Sequence, residues 1–112
     1  MKRFLVLYKS STPAGEMMAA STPEQMQAGM EDWQRWAAKT GDAIVDLGSP
    51  LGASASVGGG SKTGTDTHTT GFSILQGESL DAVTTLLEDH PHLKTPGNSS
   101  ITVLEALSMP GM

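Results

Sequence analysis

Phe4-Leu5-Val6-Leu7-Tyr8 is the stretch that decides the fold. Five apolar residues lie between the basic pair Lys2-Arg3 and the polar run Lys9-Ser10-Ser11, which reads as a short strand. Successive strand side chains point to opposite faces, so Phe4, Val6 and Tyr8 share one face and Leu5 and Leu7 the other. Both faces are apolar. A sheet with one wet face would alternate apolar with polar residues, so this strand is expected to be covered on both sides.

The elements around it follow from local signals. Lys9 to Ser21 reads as a loop holding a small apolar island, Met17-Met18-Ala19. The island either packs as a flap over a core edge or serves as a mobile lid of soft Met side chains. Thr22-Pro23-Glu24-Gln25 is a helix start: Thr22 caps, Pro23 suits the first helical position and Gln25 completes a capping box. Met26, Met30, Trp33 and Ala37 follow as one helical stripe with Trp36 beside it, and Gly41 ends the helix. Its two indoles either pack against the sheet or reach a pocket or subunit contact.

Ala43 to Leu47 reads as the second strand, with Ile44 and Asp46 on one face and Val45 and Leu47 on the other. Asp46 then lies either near the strand's exposed end or facing a wet cavity, because buried carboxylates are rare without a partner. Gly48 to Gly52 reads as a turn. Residues 53–70 are rich in Ala, Ser, Gly and Thr and read as a long hairpin connection with a short strand near Ala55-Ser56-Val57. Gly58-Gly59-Gly60 precedes Lys62, but no helix follows, so the run does not make a phosphate loop. Asp66-Thr67-His68 reads as a solvated turn, a metal site only if partners arrive from elsewhere. Gly71 to Gln76 is the third strand. Leu80, Val83, Leu86 and Leu87 mark a second helix after the Gly77–Ser79 cap, and Pro91 stops it. Lys94 to Ser100 turns at Pro96-Gly97, Ile101 to Leu107 is the last strand, and residues 109–112 form a compact tail.

Strand, helix, strand, strand, helix, strand is the βαββαβ order of the ferredoxin-like α+β fold: one antiparallel sheet with both helices on one face. The other face would stay bare and apolar in a monomer, which is unusual for a patch of several hundred Å². The expectation is a homodimer of twofold symmetry with the sheets stacked, forming a dimeric α/β barrel with a small-molecule pocket between sheets and loops.

The chain's 112 residues suit one domain, residues 1–112. With 7 basic against 12 acidic residues, a net of −5, it lacks the clustered cations that nucleic acid requires. It has no basic amphipathic helix for a membrane surface, and no run approaches the roughly 20 apolar residues that span a bilayer. The apolar run after Lys2-Arg3 is too short for a signal peptide. There are no cysteines, which excludes disulfides and thiolate metal sites. A cytoplasmic protein without a cofactor is expected.

Titratable chemistry concentrates in Glu88-Asp89-His90-Pro91-His92-Leu93, which holds two of the three histidines. An imidazole oriented by a carboxylate is a suitable general acid–base. The candidate catalytic residues are His90, His92, Asp46 and Asp89, moving a proton on a small molecule in an isomerase- or lyase-like step. Three other readings stand beside this one. The histidines cap the preceding helix, where a cation is stabilised. An extended His-x-His segment, with both rings on one side, binds a metal with Asp46 or Asp89. Or the protein is a non-catalytic ligand-binding or accessory module with an apolar pocket of Met17, Met18 and the tryptophans.

Four segments carry a resemblance: Lys2 to Tyr8, Ile44 to Leu51, Gly71 to Leu75 and Asp89 to Leu93. Together they resemble the YCII-related family. That resemblance implies a dimeric α/β-barrel fold and, for some members, a His–Asp pair suspected of acid–base catalysis; most members have no known function. The family's Asp-Pro-aromatic turn is matched by His90-Pro91-His92, and residues 23–40 contain no histidine. A pair here would be rebuilt from His90 or His92 with Asp46 or Asp89.

Overall fold

The chain runs β1 (Lys2–Lys9), α1 (Ala14–Ala20), α2 (Pro23–Thr40), β2 (Ile44–Pro50), β3 (Ala55–Ser56), β4 (Lys62–Thr63), β5 (Thr69–Gly77), α3 (Leu80–Leu87) and β6 (Ser100–Ala106), with 3-10 turns at Gly41–Ala43 and Pro91–Lys94. The structure, a computed structural model, describes residues 1–60, 62–63, 66, 68–95 and 98–109. Thr67, the Pro96-Gly97 turn and the tail residues Pro110-Gly111-Met112 lie outside the described residues.

Four strands form one sheet in the order β2-β5-β1-β6, every neighbouring pair antiparallel. The remaining two, β3 and β4, make a separate hairpin. Trp36 from α2 and Val83 and Leu87 from α3 join Phe4, Val6, Tyr8 and Leu75 of the sheet in one core cluster. Both long helices therefore cover the same face, and the architecture is the expected ferredoxin-like α+β fold, with α1 and the β3–β4 hairpin as additions.

The local signals act as their chemistry dictates. Thr22 Oγ1 accepts the Gln25 N–H at 3.1 Å, and Gln25 Oε1 accepts the Thr22 N–H at 2.9 Å, a reciprocal cap at the start of α2. Gly41 ends the helix at φ 62°, its N–H returning to the Ala37 carbonyl. Ser79 caps α3 through the Ala82 N–H at 3.1 Å.

Three expectations need correction. Residues 14–20, expected as loop, form α1, because Ala-Gly-Glu-Met-Met-Ala-Ala is mostly strong helix formers and Pro13 delivers the chain in extended geometry. On α2 the buried indole is Trp36, while Met26 and Met30 of the expected stripe stay 42% and 63% exposed. The contact therefore involves only the C-terminal half of the helix. Finally β2 does not turn at Gly48 but runs to Pro50. Gly48, at φ 82°, brings the backbone so close to Phe72 that a Cβ there would lie 1.7 Å from the Phe72 carbonyl oxygen. Pro50 is tolerated because β2 is an edge strand.

On β1 the Phe4/Val6/Tyr8 face is buried and the Leu5/Leu7 face is half-buried. Leu5 lies between Ile74 and Leu104, and Leu7 between Phe72 and Thr102. Helices cover one side of the strand; the apolar far side is open within the single chain, where Leu104 is 49% exposed. The radius of gyration is 15.3 Å, against about 13 Å for a globular domain of this length. No helix among the described residues is long and apolar enough to cross a membrane.

Candidate functional site

The site is built at one end of the covered sheet face, where β1, α2 and the turn after α3 meet. Tyr8 closes the buried row of β1 and stands opposite Gly71, which leaves room for its ring. The Tyr8 hydroxyl is 2.7 Å from Ser73 Oγ. Ser73 donates its own proton to the Leu47 carbonyl at 2.6 Å, so the phenol donates to Ser73. Burial pushes the Tyr8 hydroxyl up to about 12, against the smaller, opposing effect of its hydrogen bond with Ser73, and the phenol stays protonated.

His90 is fully buried in a cage of three aromatic rings, at centroid distances of 4.8 Å to Tyr8, 4.4 Å to Trp33 and 4.3 Å to Trp36. Trp36 is held in place by its indole N–H, which donates to the Leu86 carbonyl at 3.0 Å. His90 precedes Pro91 and caps the 3-10 turn: its Nδ1 accepts the His92 N–H at 2.9 Å. An acceptor nitrogen carries no proton, so the neutral ring has its hydrogen on Nε2. That atom is buried without a hydrogen-bond partner among the described residues. Burial, helped by the nearby His92 and opposed by Asp89, lowers the His90 pKa to about 4, so the ring is neutral at physiological pH.

His92 is 7% exposed and its Nε2 lies 2.8 Å from the Lys9 carbonyl oxygen. A carbonyl only accepts, so Nε2 carries the proton and the lone pair of the neutral ring is on Nδ1. Among the described residues that Nδ1 has no hydrogen-bond donor. The ring also touches Tyr8, at a centroid distance of 5.3 Å. The segment is not the extended His-x-His of the sequence reading: Pro91–Lys94 is a 3-10 turn, since a proline in its first position behind a capping side chain favours a helical turn.

The two carboxylates lie elsewhere. Asp46 is exposed and its Oδ1 accepts the Gly48 N–H at 2.8 Å. Asp89 is exposed and paired with Lys39, whose hydrogen bond holds the carboxyl below its ordinary range. Neither carboxylate hydrogen-bonds an imidazole. Among the described residues no group of three or more His, Asp or Glu is placed to hold a metal ion. The structure thus brings together His90 and His92, and adds Tyr8, Trp33, Trp36 and the Lys9 carbonyl. The sequence signal for Tyr8 was its phase on β1, on the same face as Phe4 and Val6.

Outside the aromatic cage, a cleft of about 280 Å³ lies between α2 and the 3-10 turn, lined by Asp32, Arg35, Trp36, Lys39, Asp89, Pro91 and Lys94. A second, of about 420 Å³, lies between α1 and the β2–β3 connection, with Glu16, Leu51, Ser54 and Asp66 among its lining residues.

No family model matches the chain, and no curated protein matches it. Among solved structures it is similar to the 5-chloro-2-hydroxyhydroquinone dehydrochlorinase of Burkholderia phenoliruptrix AC1100, determined in complex with 2,5-dihydroxybenzoquinone. The two share 23% sequence identity over 91% of this chain and 90% of that chain, with a TM-score of 0.47.

Proposed function

We propose that this chain is a YCII-related, homodimeric acid–base enzyme of isomerase or lyase type acting on a small molecule. The observation that carries the reading is the His92 hydrogen bond to the Lys9 carbonyl. It orients the ring and leaves the Nδ1 lone pair available, the arrangement of a general base. His90 supplies the complementary group, a neutral imidazole whose Nε2–H has no acceptor among the described residues. A substrate oxygen gaining negative charge as its neighbouring proton leaves is such an acceptor. Asp46 and Asp89 keep their structural partners, and the proton moves through the imidazoles.

The dimer follows from the open sheet face. Leu5, Leu7, Phe72, Ile74 and Leu104 form a contiguous apolar layer that a second copy covers across a twofold axis. Sedimentation of a particle twice the chain's 11.7 kDa supports this; a lone monomer sinks it.

The chemistry is tested by proton exchange. A panel of small enolisable carbonyl compounds is incubated with the protein in D₂O, and loss of the acidic C–H signal is followed by NMR. The reading requires exchange with at least one compound, reduced about a hundredfold or more in His92→Gln. If the wild type and the variant exchange every compound equally, His92 is not a base. The near-complete burial of both rings favours a second reading, a ligand-binding module; saturable binding of a panel member with no exchange supports it instead.

A further inference from the structure

The histidine cluster is closed in the structure: His90, His92, Tyr8 and Trp36 are all buried. A small molecule that is to meet His90 Nε2–H needs one wall to move. Three rings of the cluster are tied by hydrogen bonds, Tyr8 to Ser73, Trp36 to the Leu86 carbonyl and His92 to the Lys9 carbonyl. Trp33 is different. Its ring plane stands nearly perpendicular to those of His90 and Tyr8, at centroid distances of 4.4 and 5.0 Å. Yet it is only half-buried, and its indole N–H makes no hydrogen bond among the described residues.

Helix α2 supplies a place for that ring to go. A side chain on an α-helix leans toward the preceding turn, over the positions three and four before it. For Trp33 these are Met30, which is exposed, and Gly29. Glycine inside an 18-residue helix is unfavourable relative to alanine, and no packing calls for it here: a Cβ at Gly29 would meet nothing within 4 Å. The missing side chain leaves helix surface bare beside the one wall that no hydrogen bond holds. We propose that Trp33 is the gate of the histidine cage, its ring turning about χ1 from His90 and Tyr8 to lie over Gly29, which opens His90 Nε2–H to a small molecule. Rotation between staggered wells needs no change of backbone. The gate rests on the acid–base reading for its purpose, but its motion is read with no substrate present.

Exchange of the His90 Nε2 proton with water measures the opening, by NMR of isotope-labelled protein near neutral pH, expressed as protection relative to free imidazole. The Val6 amide, on the inner strand β1, is the reference for global unfolding. A gate requires the imidazole proton to be protected, but about tenfold or more below Val6, because local opening is cheaper than global. Gly29→Ile fills the landing place with a stiff, branched side chain and should slow the exchange about tenfold, while Gly29→Ala should leave it within about twofold. Alanine is the better helix former, so an effect through helix stability alone would make Gly29→Ala the slower variant. Trp33→Ala removes the gate and should speed the exchange about tenfold or more. An unchanged backbone amide spectrum confirms that the Gly29 variants fold. Gly29→Ile exchanging no slower than Gly29→Ala overturns the proposal, as does wild-type protection equal to that of Val6. A His90 proton exchanging too fast to observe in the wild type also overturns it, since the cage would then stand open. Failure of substrate proton exchange at His92 leaves these rates untouched, so the two readings fail separately.

Discussion

His92 donates its backbone N–H to Nδ1 of His90 at 2.9 Å, so one histidine side chain fixes the backbone of the other. The bond holds only while His90 is neutral. Protonating Nδ1 would set two donors against each other and leave a cation among Tyr8, Trp33 and Trp36 with no acceptor on either nitrogen among the described residues. The turn that positions His92 is therefore tied to the protonation state of a fully buried ring.

Stability should fall on mild acidification. The His90 pKa is about 4 in the folded chain, against about 6.5 when unfolded. A lowered histidine pKa means the unfolded chain binds the proton first. This group's contribution is thus complete above about pH 6.5, is lost as pH falls from there to about 4, and changes no further below. The total is about 3 kcal/mol. Asp89 and Asp66, both held below the ordinary carboxylate range, lose their contributions at lower pH still. Urea unfolding between pH 7.5 and 4 measures the slope. In His90→Asn, which keeps an acceptor for the His92 N–H, the slope over this window should be nearly flat; an unchanged slope would assign it to other groups.

The buried hydroxyl pair gives a second test. Tyr8 donates to Ser73, and Ser73 donates to Leu47, linking the histidine cluster to β2. Tyr8→Phe removes the first donor but leaves Ser73 bonded to the Leu47 carbonyl. The loss should be about 1 kcal/mol in urea unfolding, that of one net hydrogen bond. Ser73→Ala removes both bonds and strands the phenol, and should cost more than Tyr8→Phe. The reverse order would mean the phenol finds another acceptor.

Gly48 is the position on β2 where a side chain has no room. Its φ of 82° already disfavours any Cβ, and that atom would lie 1.7 Å from the Phe72 carbonyl oxygen and 2.6 Å from its carbon. These are backbone atoms of the central strand β5, so relief requires moving the sheet edge. Gly48→Ala should cost roughly 3 kcal/mol or more and show loss of soluble folded protein or a much lower thermal midpoint. Gly41→Ala is the comparison: at φ 62° and ψ −127° it carries backbone strain but meets nothing within 4 Å, so it should cost less than Gly48→Ala, about 1–3 kcal/mol from strain alone.

What could be read from the sequence divides along the range of the forces involved. The Thr22–Gln25 cap, the Gly41 stop and the two-faced strand at Phe4–Tyr8 depend on neighbours in the chain, and all three stand in the structure. The βαββαβ order followed from them. Helix α1 was missed because Pro13, Gly15 and Ser21 punctuate a segment too short for a periodic pattern. The extension of β2 past Gly48 was missed because a bulged, positive-φ glycine inside an edge strand looks the same as a turn until β5 lies beside it. At the site, His90 and His92 were visible as a cluster of titratable groups. Their partners were not, because Lys9 and Tyr8 are over 80 residues away along the chain and Trp36 arrives from another helix. Asp46 and Asp89 were grouped with the histidines by charge, whereas in the fold short-range bonds to Gly48 and Lys39 engage them.

The open sheet face supplies the last prediction. Leu104 of β6 stands beside Leu5 and is 49% exposed in the single chain. A charge there costs the isolated fold little, since half-exposed surface positions away from caps and buried networks usually change stability by no more than about 0.5 kcal/mol. Stacked against a second sheet the same charge would be buried without a partner, which costs several kcal/mol per site. Leu104→Glu should therefore leave the unfolding midpoint of the monomeric chain nearly unchanged at low concentration. It should raise the dimer dissociation constant about a hundredfold or more, and a twofold axis places the substitution in the interface from both sides. Sedimentation at several concentrations separates the outcomes. A variant that still sediments as a dimer with the wild-type constant would mean that the copies meet through another surface, and the apolar layer of β1, β5 and β6 would then need a different cover.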